Sequence, residues 1–266
     1  MGPELRDQTL KYWRNSRAST PGARGAIGIL TPSANIVVEY TTIRLLRAFS
    51  GIGAHFSRIP VKGPVDPTEA GYDVHTMLSA AALLADAKPG ALLWAGSKGV
   101  QFGIDKERRL CEHIQSETGV AATTPTLALE KLIRERGIAE IGLISPYSSA
   151  YQTQVVEGFE RMGIACVAEA HAGVADNLAY ASVTDATIKD MARRVAAARP
   201  DAIVAWCTNF AAGPLAGAIE REVGVPFYDA TTLGLSQALT ILGVDLARAP
   251  ALWGAVFRDH SLANSN

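Results

Sequence analysis

Short apolar runs alternate with amphipathic stretches along the chain from residue 26 onward. Short apolar runs bounded by turn residues are typical of buried strands, and apolar residues at every third or fourth position are typical of helices. One strand followed by one helix, repeated many times, predicts parallel sheets covered by helices on both faces. The predicted strands are Ala26–Leu30, His55–Ile59, Ala91–Ala95, Val120–Thr123, Glu140–Ile144, Cys166–Ala170, Ala202–Trp206 and Val225–Tyr228.

The stretches between these strands predict helices with one apolar face. Asp66 and Pro67 form a good N-cap and first-turn pair for one of them. In the first helix, the spacing predicts that Tyr40, Ile43 and Leu45 are among the residues that face inward. The predicted helices are Ile36–Phe49, Pro67–Ala87, Lys106–Thr118, Pro125–Arg136, Ala150–Met162, Asp185–Ala198, Ala212–Glu222 and Thr232–Leu242.

An internal repeat divides the chain. Ile27–Pro32 matches Ile141–Pro146 position for position, as Ile-Gly, two aliphatic residues, a hydroxyl residue and a proline. Leu92–Ser97 aligns with Ile203–Thr208 at nearly the same spacing, which makes Gly96 the counterpart of Cys207. Runs of Ile-Gly and aliphatic residues are common, so a chance match is the alternative. The two landmarks together favour duplication of one α/β unit.

We therefore predict an α/β fold of two pseudo-symmetric Rossmann-like (flavodoxin-like) α/β/α halves, with parallel sheets and an active-site cleft between them. Residues 1–25 form an N-terminal extension, residues 26–124 the first half and residues 125–230 the second half, which carries the cysteine. The C-terminal helix, residues 231–245, is expected to pack back on the first half.

Composition and charge narrow the class of protein. The chain has 266 residues, of which 48% are hydrophobic and 19% charged, with a net charge of −1. A nearly neutral chain argues against nucleic-acid and anionic-membrane partners, and no apolar run is long enough to span a bilayer. Three widely spaced cysteines form neither a disulfide framework nor a metal-binding cluster. These features predict a cytoplasmic protein in a reducing compartment.

The chemistry is expected at the end of the apolar run Ile203–Trp206, where Cys207, Thr208 and Asn209 follow. Parallel sheets bind their ligands at the carboxyl ends of the strands. The hydroxyl and amide of the two polar residues can donate hydrogen bonds, and a helix beginning nearby would lower the pKa of the thiol. This pattern predicts a thiol that alkylates faster than the two other cysteines. A buried, inert cysteine is the alternative.

Two motifs resemble those of a known superfamily. The run Gly28–Asn35, Gly-Ile-Leu-Thr-Pro-Ser-Ala-Asn, is similar to the opening of maleate-isomerase-like proteins, and Cys207–Asn209 is similar to their second catalytic cysteine motif. Gly224–Pro226 before the last helix also fits. Over about residues 25–245 the chain resembles the aspartate/glutamate racemase superfamily, in its maleate cis-trans isomerase and arylmalonate decarboxylase branch. The resemblance implies a bacterial enzyme that needs no cofactor or metal and acts on a small carboxylate or dicarboxylate.

One departure from the two-cysteine pattern favours decarboxylation. The first cysteine of the superfamily is replaced here by Gly96, as in arylmalonate decarboxylase. The resemblance then implies that loss of CO₂ leaves an enediolate, which Ser97, Tyr147 and Thr208 stabilise and Cys207 protonates. A single thiol cannot exchange protons on both faces of a carbon, so a racemase is not expected.

Other residues follow the isomerase pattern, so alternatives to decarboxylation stay open. Thr208 and Asn209 after the cysteine, together with Asn35 and Asn177, match isomerase residues that contact the substrate. Cys207 acting as a nucleophile on an alkene is therefore a second hypothesis, and a non-catalytic carboxylate-binding relative is a third. The predicted catalytic residues are Cys207, Ser97 and Tyr147, and the predicted substrate-binding residues are Thr31, Pro32, Asn35, Gly96, Lys98, Asn177, Thr208 and Asn209.

The remaining candidates have simpler alternatives. Lys98 either binds a carboxylate, acts as a base or is a solvated loop charge. His75 and His171 can orient the chemistry, although lone histidines are more often structural. There is no GxSxG motif of a serine hydrolase. The Ala/Leu-rich segment Thr76–Ala87 predicts a homodimer or larger homo-oligomer, and a small carboxylate is the expected partner.

Overall fold

The computed structural model describes residues 25–61 and 73–258. Strands β1 (Gly25–Pro32), β2 (Ile52–Ile59), β3 (Ala91–Trp94) and β4 (Ala122–Thr123) form a parallel sheet in the order β2-β1-β3-β4. Strands β5 (Glu140–Ser145), β6 (Ala165–His171), β7 (Ala202–Ala205) and β8 (Phe227–Asp229) form a second in the order β6-β5-β7-β8. The same strand order in both sheets confirms the predicted pair of α/β halves.

Helices cover both sheets, and their beginnings are encoded locally. Asp73 accepts the Thr76 N–H at 3.1 Å to cap α2, and Thr124 followed by Pro125 begins α5. Within the described ranges, no helix combines the length and the apolar character required to cross a bilayer. The α-helices are α1 (Val37–Leu46), α2 (Val74–Ala85), α3 (Gly99–Phe102), α4 (Ile104–Thr118), α5 (Pro125–Arg136), α6 (Ser149–Arg161), α7 (Asp185–Ala196), α8 (Ala216–Val223), α9 (Ala230–Ile241) and α10 (Ala255–Arg258).

Some segments differ from the prediction. The short α3 begins at Gly99 and ends before Gly103, and glycines at both ends are typical of a loop in the sequence. The helix predicted from Ala212 begins as a 3₁₀ turn, Gly213–Leu215, and becomes α-helical only at Ala216. The short α10 was not predicted. The predicted extension and the helix start at Asp66 lie outside the described residues.

The inward face of α1 was assigned wrongly. Tyr40 and Ile43 are 59% and 55% exposed, whereas Thr41 and Thr42 are buried. The Thr42 hydroxyl donates to the Val38 carbonyl oxygen at 2.7 Å, which satisfies this side chain inside the core. Threonine counts as polar in a sequence pattern, so the helix face containing Thr41 and Thr42 was overlooked.

Packing between helices and strands of opposite halves holds the two halves together. Helix α9 follows the last strand of the second sheet but packs on β3 of the first, where Gly234 lies against Leu93 and Pro125. A Cβ at position 234 would approach the Leu93 side chain to 2.9 Å, so glycine permits this close packing. In the other direction, Gly158 of α6 lies against Val100 of α3.

Candidate active site

A pocket with a cavity of about 120 Å³ opens where the carboxyl ends of β1, β3 and β7 approach one another. Residues from both sheets contribute to it, as expected for a ligand site between two parallel α/β halves. The lining residues are Pro32, Asn35, Ile59, Pro60, Val61, Asp73, Met77, Trp94, Gly96, Ser97, Lys98, Tyr147, Tyr151, Asn177, Tyr180, Cys207, Thr208 and Asn209.

All the predicted site residues line this pocket except Thr31. Thr31 is fully buried in β1, and its hydroxyl has no hydrogen-bond partner within the described part of the chain. Successive side chains of a strand point to opposite faces, so a pocket that contains Pro32 leaves its neighbour on the other side. Substrate binding by Thr31 is therefore not supported by its position.

Cys207 lies two residues beyond the end of β7, after Trp206, and is only 4% exposed. Its sulfur accepts a hydrogen bond from the Asn209 N–H at 3.3 Å. Burial raises the pKa of the thiol to about 12, the hydrogen bonds from Tyr147 and Asn209 lower it in part, and the charge of Asp229 raises it. Cys207 is consequently a protonated thiol at neutral pH.

The lowered pKa predicted for Cys207 is thus wrong, and its faster alkylation stays a prediction. The expectation rested on a helix N-terminus close to the sulfur, but the next α-helix begins only at Ala216. Burial raises the pKa of Cys166 to about 12 as well, and Cys166 is the more exposed of these two cysteines. Cys207 is distinguished from Cys166 by its place in the pocket and not by its acidity.

Tyr147 links the two halves beside this thiol. Its hydroxyl lies 3.2 Å from the Ser97 hydroxyl and is hydrogen-bonded to Cys207. Burial raises the pKa of Tyr147 well above its usual value, so this side chain is a neutral hydrogen-bond donor. A Ser97 hydroxyl that donates to Tyr147 and a Tyr147 hydroxyl that donates to Cys207 form a chain that can stabilise negative charge on the sulfur.

The Thr208 and Asn35 side chains use their hydrogen-bond donors within the protein. The Thr208 hydroxyl donates to the Ala95 carbonyl oxygen at 2.9 Å and accepts from the Asn35 side-chain amide at 3.1 Å. Because the only hydroxyl proton of Thr208 is engaged, this side chain has none left for an oxyanion. Asn35 also accepts two backbone N–H groups of α1, from Val37 and Val38, both at 3.0 Å.

The Asn209 side chain is saturated by backbone groups. Its oxygen accepts the N–H groups of Ile36 at 3.0 Å and Val37 at 3.3 Å. Its nitrogen donates to the carbonyl oxygens of Asn177 at 2.6 Å and Ala34 at 3.4 Å. Asn209 therefore positions the start of α1 and the loop at Asn177 around the pocket.

An apolar wall on the first-half side was missed by the sequence analysis. It consists of Trp94 with Ile59, Pro60, Val61 and Met77.

Trp94 also explains the glycine at position 96. A Cβ at Gly96 would lie 2.4–2.6 Å from atoms of the Trp94 indole, far inside van der Waals contact. Trp94 thus fills the space that any side chain at position 96 would need. The sequence did contain a signal for this contact. Trp94 and Gly96 are two positions apart, and residues two apart along a strand lie on the same face.

Two further tyrosines complete the pocket and were also missed. The ring centroids of Tyr151 and Tyr180 lie 4.5 Å and 5.3 Å from that of Tyr147. Burial raises the pKa of Tyr180 above its usual value. The charged lining residues are Lys98, which is half-buried, and Asp73, whose pKa is lowered by its hydrogen bonds from Thr76.

Asp229 lies buried behind Cys207, at the start of α9. One carboxyl oxygen accepts the Thr232 N–H at 2.9 Å, and the other has no partner among the described residues. Burial raises its pKa to about 7. In the described ranges, no three His, Cys, Asp or Glu side chains are grouped to bind a metal ion, and neither His75 nor His171 lines the pocket.

A family model described as arylmalonate decarboxylase matches residues 67–252. The search of curated proteins gave no match. Among solved structures, a Nocardia farcinica maleate cis-trans isomerase mutant with a covalently bound succinylcysteine intermediate is similar at TM-score 0.80 and 23% identity, over 88% of this chain and 98% of its own.

A Pseudomonas putida maleate isomerase with maleate has TM-score 0.79 and 22% identity, over 88% of this chain and 97% of its own. Unliganded arylmalonate decarboxylase has TM-score 0.74 and 22% identity, over 91% of this chain and 100% of its own. At this level of identity, the similarity to solved structures shows a shared fold.

Proposed function

The chain belongs to the arylmalonate decarboxylase family, and on that basis we propose that it is a cofactor-independent decarboxylase of malonate-type diacids that carry an apolar substituent. The observation that supports this most strongly is a single protonated thiol, Cys207, in a pocket that the Trp94 indole also lines. Such a site can deliver a proton to one face of a carbanion.

In the proposed reaction, the bond between the α-carbon and one carboxylate breaks and its electron pair stays on the α-carbon. The enediolate that forms is stabilised by Ser97, whose hydroxyl proton turns from Tyr147, 3.2 Å away, to the oxyanion, while Tyr147 keeps its hydrogen bond to Cys207. Cys207 then donates its proton to the α-carbon, and the thiolate is stabilised by Tyr147 and the Asn209 N–H. Water returns a proton to the sulfur, so each turnover consumes one solvent proton.

The wall formed by Trp94, Met77 and Val61 favours a substrate with an aryl or large alkyl group. Burying such a group against these side chains contributes about 25 cal/mol per Å² of apolar surface. Lys98 is the basic residue of the lining and is suited to the carboxylate that remains after CO₂ leaves.

Cis-trans isomerisation of a maleate-type substrate is the second candidate function. The Cys207–Asn209 motif and the fold shared with maleate isomerases favour it. A nucleophilic role for Cys207 requires a thiolate, however, and a pKa of about 12 leaves about 1 in 10⁵ of the thiol ionised at pH 7. A carboxylate-binding relative without catalysis is the third hypothesis.

Turnover of phenylmalonate and maleate distinguishes these functions. We expect phenylmalonate to release CO₂ with uptake of one proton, and a C207A variant to be slower by about 10²–10⁴-fold. The matched control is C166A, a cysteine outside the pocket, which should keep full activity. Conversion of maleate to fumarate without CO₂ would favour the isomerase. Binding without turnover, followed by calorimetry, would favour the third hypothesis.

The setting of this activity is also a proposal. A free, functional Cys207 is suited to a reducing bacterial cytoplasm, and the related enzymes named above include proteins of Nocardia and Pseudomonas. The homodimer or larger oligomer remains a prediction. It is checked by measuring the mass in solution by light scattering.

A further inference from the structure

Three polar side chains form a hydrogen-bonded row at the outer edge of the second sheet, outside the pocket. Ser149 is the first residue of α6, and Glu169 and His171 are on the edge strand β6. The Ser149 hydroxyl lies 2.9 Å from His171 Nε2, and His171 Nδ1 lies 3.0 Å from Glu169 Oε2. None of the three lines the pocket that contains Cys207.

The order of these contacts assigns a role to each group. A carboxylate can only accept, so Glu169 receives the proton on His171 Nδ1, and in the neutral imidazole Nε2 is then the nitrogen without a proton. The Ser149 hydroxyl then donates to Nε2. A hydroxyl, an imidazole acting as base and a carboxylate that orients the imidazole are the three parts of an activated serine nucleophile.

The row is anchored in the protein core. The Gln152 side-chain amide donates to Glu169 Oε2 at 2.9 Å, and its oxygen accepts the Ser145 hydroxyl at 2.5 Å. Gln152 is 2% exposed and Ser145 is fully buried, so both are held rigidly. A carboxylate held in this way differs from a flexible surface ion pair, because its position is fixed before any substrate binds.

The start of α6 can supply an oxyanion site. The backbone N–H groups of Ser149, Ala150 and Tyr151 are in the first turn of a 13-residue helix, where no intrahelical acceptor exists. They lie beside the hydroxyl that would attack, and the helix dipole favours negative charge there. Ser149 is exposed, and the His171 side chain is 24% exposed, so a reagent can reach both from solvent.

We propose that Ser149, His171 and Glu169 form a second nucleophilic site, which cleaves small activated acyl esters. The Ser149 oxygen attacks the acyl carbon while its proton moves to His171 Nε2. The ester C–O bond then breaks, and the leaving alcohol takes that proton. Water attacks the acyl-serine, gives one proton back through His171 to the Ser149 oxygen, and releases the carboxylic acid.

The test uses the full-length protein and two reagents. A fluorophosphonate probe should label Ser149, as mapped by peptide mass spectrometry, with loss of fluoride. Hydrolysis of p-nitrophenyl acetate should fall by about 10²-fold or more in S149A and in H171A. The neighbouring variant S148A is the matched control and should keep the wild-type rate.

Glu169 is a positioning residue in this proposal, and its test separates positioning from folding. E169Q should lower kcat with little change in KM, because the tautomer is lost while the surface stays intact. The unfolding temperature of S149A, H171A and E169Q should match that of the wild type. Labelling or hydrolysis that survives in S149A, or that is absent from the wild type, overturns the proposal.

Discussion

At the scale of single residues, the protonation state of Cys207 separates the two candidate mechanisms. A thiol with a pKa of about 12 is a competent proton donor throughout the neutral and alkaline range. We therefore predict that kcat/KM for phenylmalonate shows no rise between pH 7 and pH 10 that depends on this thiol. A nucleophilic thiolate would instead give an increase of about tenfold per pH unit over that range. A pH profile compared with that of a Cys207→Ser variant decides between them.

The contact between Gly96 and Trp94 predicts how a cysteine at position 96 affects stability and activity. G96C alone forces a Cβ into the Trp94 indole and should destabilise the protein by about 1–3 kcal/mol without creating an active second thiol. The double variant G96C/W94A removes the obstacle. It should accept the new thiol and exchange the α-proton of the product with deuterium from D₂O, which NMR measures. Exchange in G96C alone at the same rate would contradict this explanation.

At the scale of secondary structure elements, Asn209 joins the second sheet to the start of α1. Removing its side chain leaves the Ile36 N–H without its acceptor and the Asn177 carbonyl oxygen without its donor, and each such loss costs about 1–3 kcal/mol. The Val37 N–H keeps Asn35 as its acceptor. We predict that N209A lowers the free energy of unfolding, measured in urea, by at least about 2 kcal/mol.

Asn177 provides the matched control for that variant. It accepts from Asn209 through its backbone carbonyl, so N177A keeps the bond and should change stability by less than about 0.5 kcal/mol. A rise in KM in N177A would identify a substrate contact. Equal stability losses in both variants would contradict the role assigned to Asn209.

The elements themselves were predictable because their signals are local. All eight strands of the described residues were predicted, since each is a short apolar run between turn residues. The exposure of Tyr40 and Ile43 was not predicted. The buried face of α1 contains Thr41 and Thr42, and the Thr42 hydroxyl is hydrogen-bonded inside the core. Helix α3 was missed for a similar reason, since a turn between two glycines has no period to detect.

The candidate site was predictable where residues follow the carboxyl ends of strands. Cys207, Ser97 and Tyr147 come together in the pocket because equivalent positions of a repeated unit meet across the two sheets. Trp94 was not predicted, because an apolar residue in a buried strand is indistinguishable from core until the partner sheet is placed. The raised pKa of Cys207 depends on burial by both halves, which no local pattern contains.

At the scale of the whole molecule, Asp229 makes stability depend on pH. Its pKa is about 7 in the folded state and about 3.9 in an unfolded chain, so between these values the folded state binds more protons. Stability is therefore greatest below pH 4 for this group and falls as pH rises through 7, by up to about 4 kcal/mol. D229N should abolish this contribution while its oxygen still accepts the Thr232 N–H.

Urea unfolding at pH 5 and pH 8 measures the effect, as the difference between wild type and D229N at each pH. The control is D201N, because Asp201 is an exposed carboxylate whose pKa is lowered by two backbone N–H groups. The contribution of Asp201 to stability is constant above pH 5. D201N should therefore change the free energy of unfolding by the same amount at pH 5 and at pH 8. A parallel shift in D229N would show that Asp229 titrates in the ordinary range.

The packing of α9 on β3 has a consequence for synthesis of the chain. The ribosome releases β3 long before it releases α9, and at about 5–20 residues per second the interval is on the order of 10 s. During that time the nascent first sheet lacks the helix that covers Leu93. Early chaperones that bind bare apolar strands therefore have a defined target in this nascent chain, and its first half completes its fold only after the second has been translated.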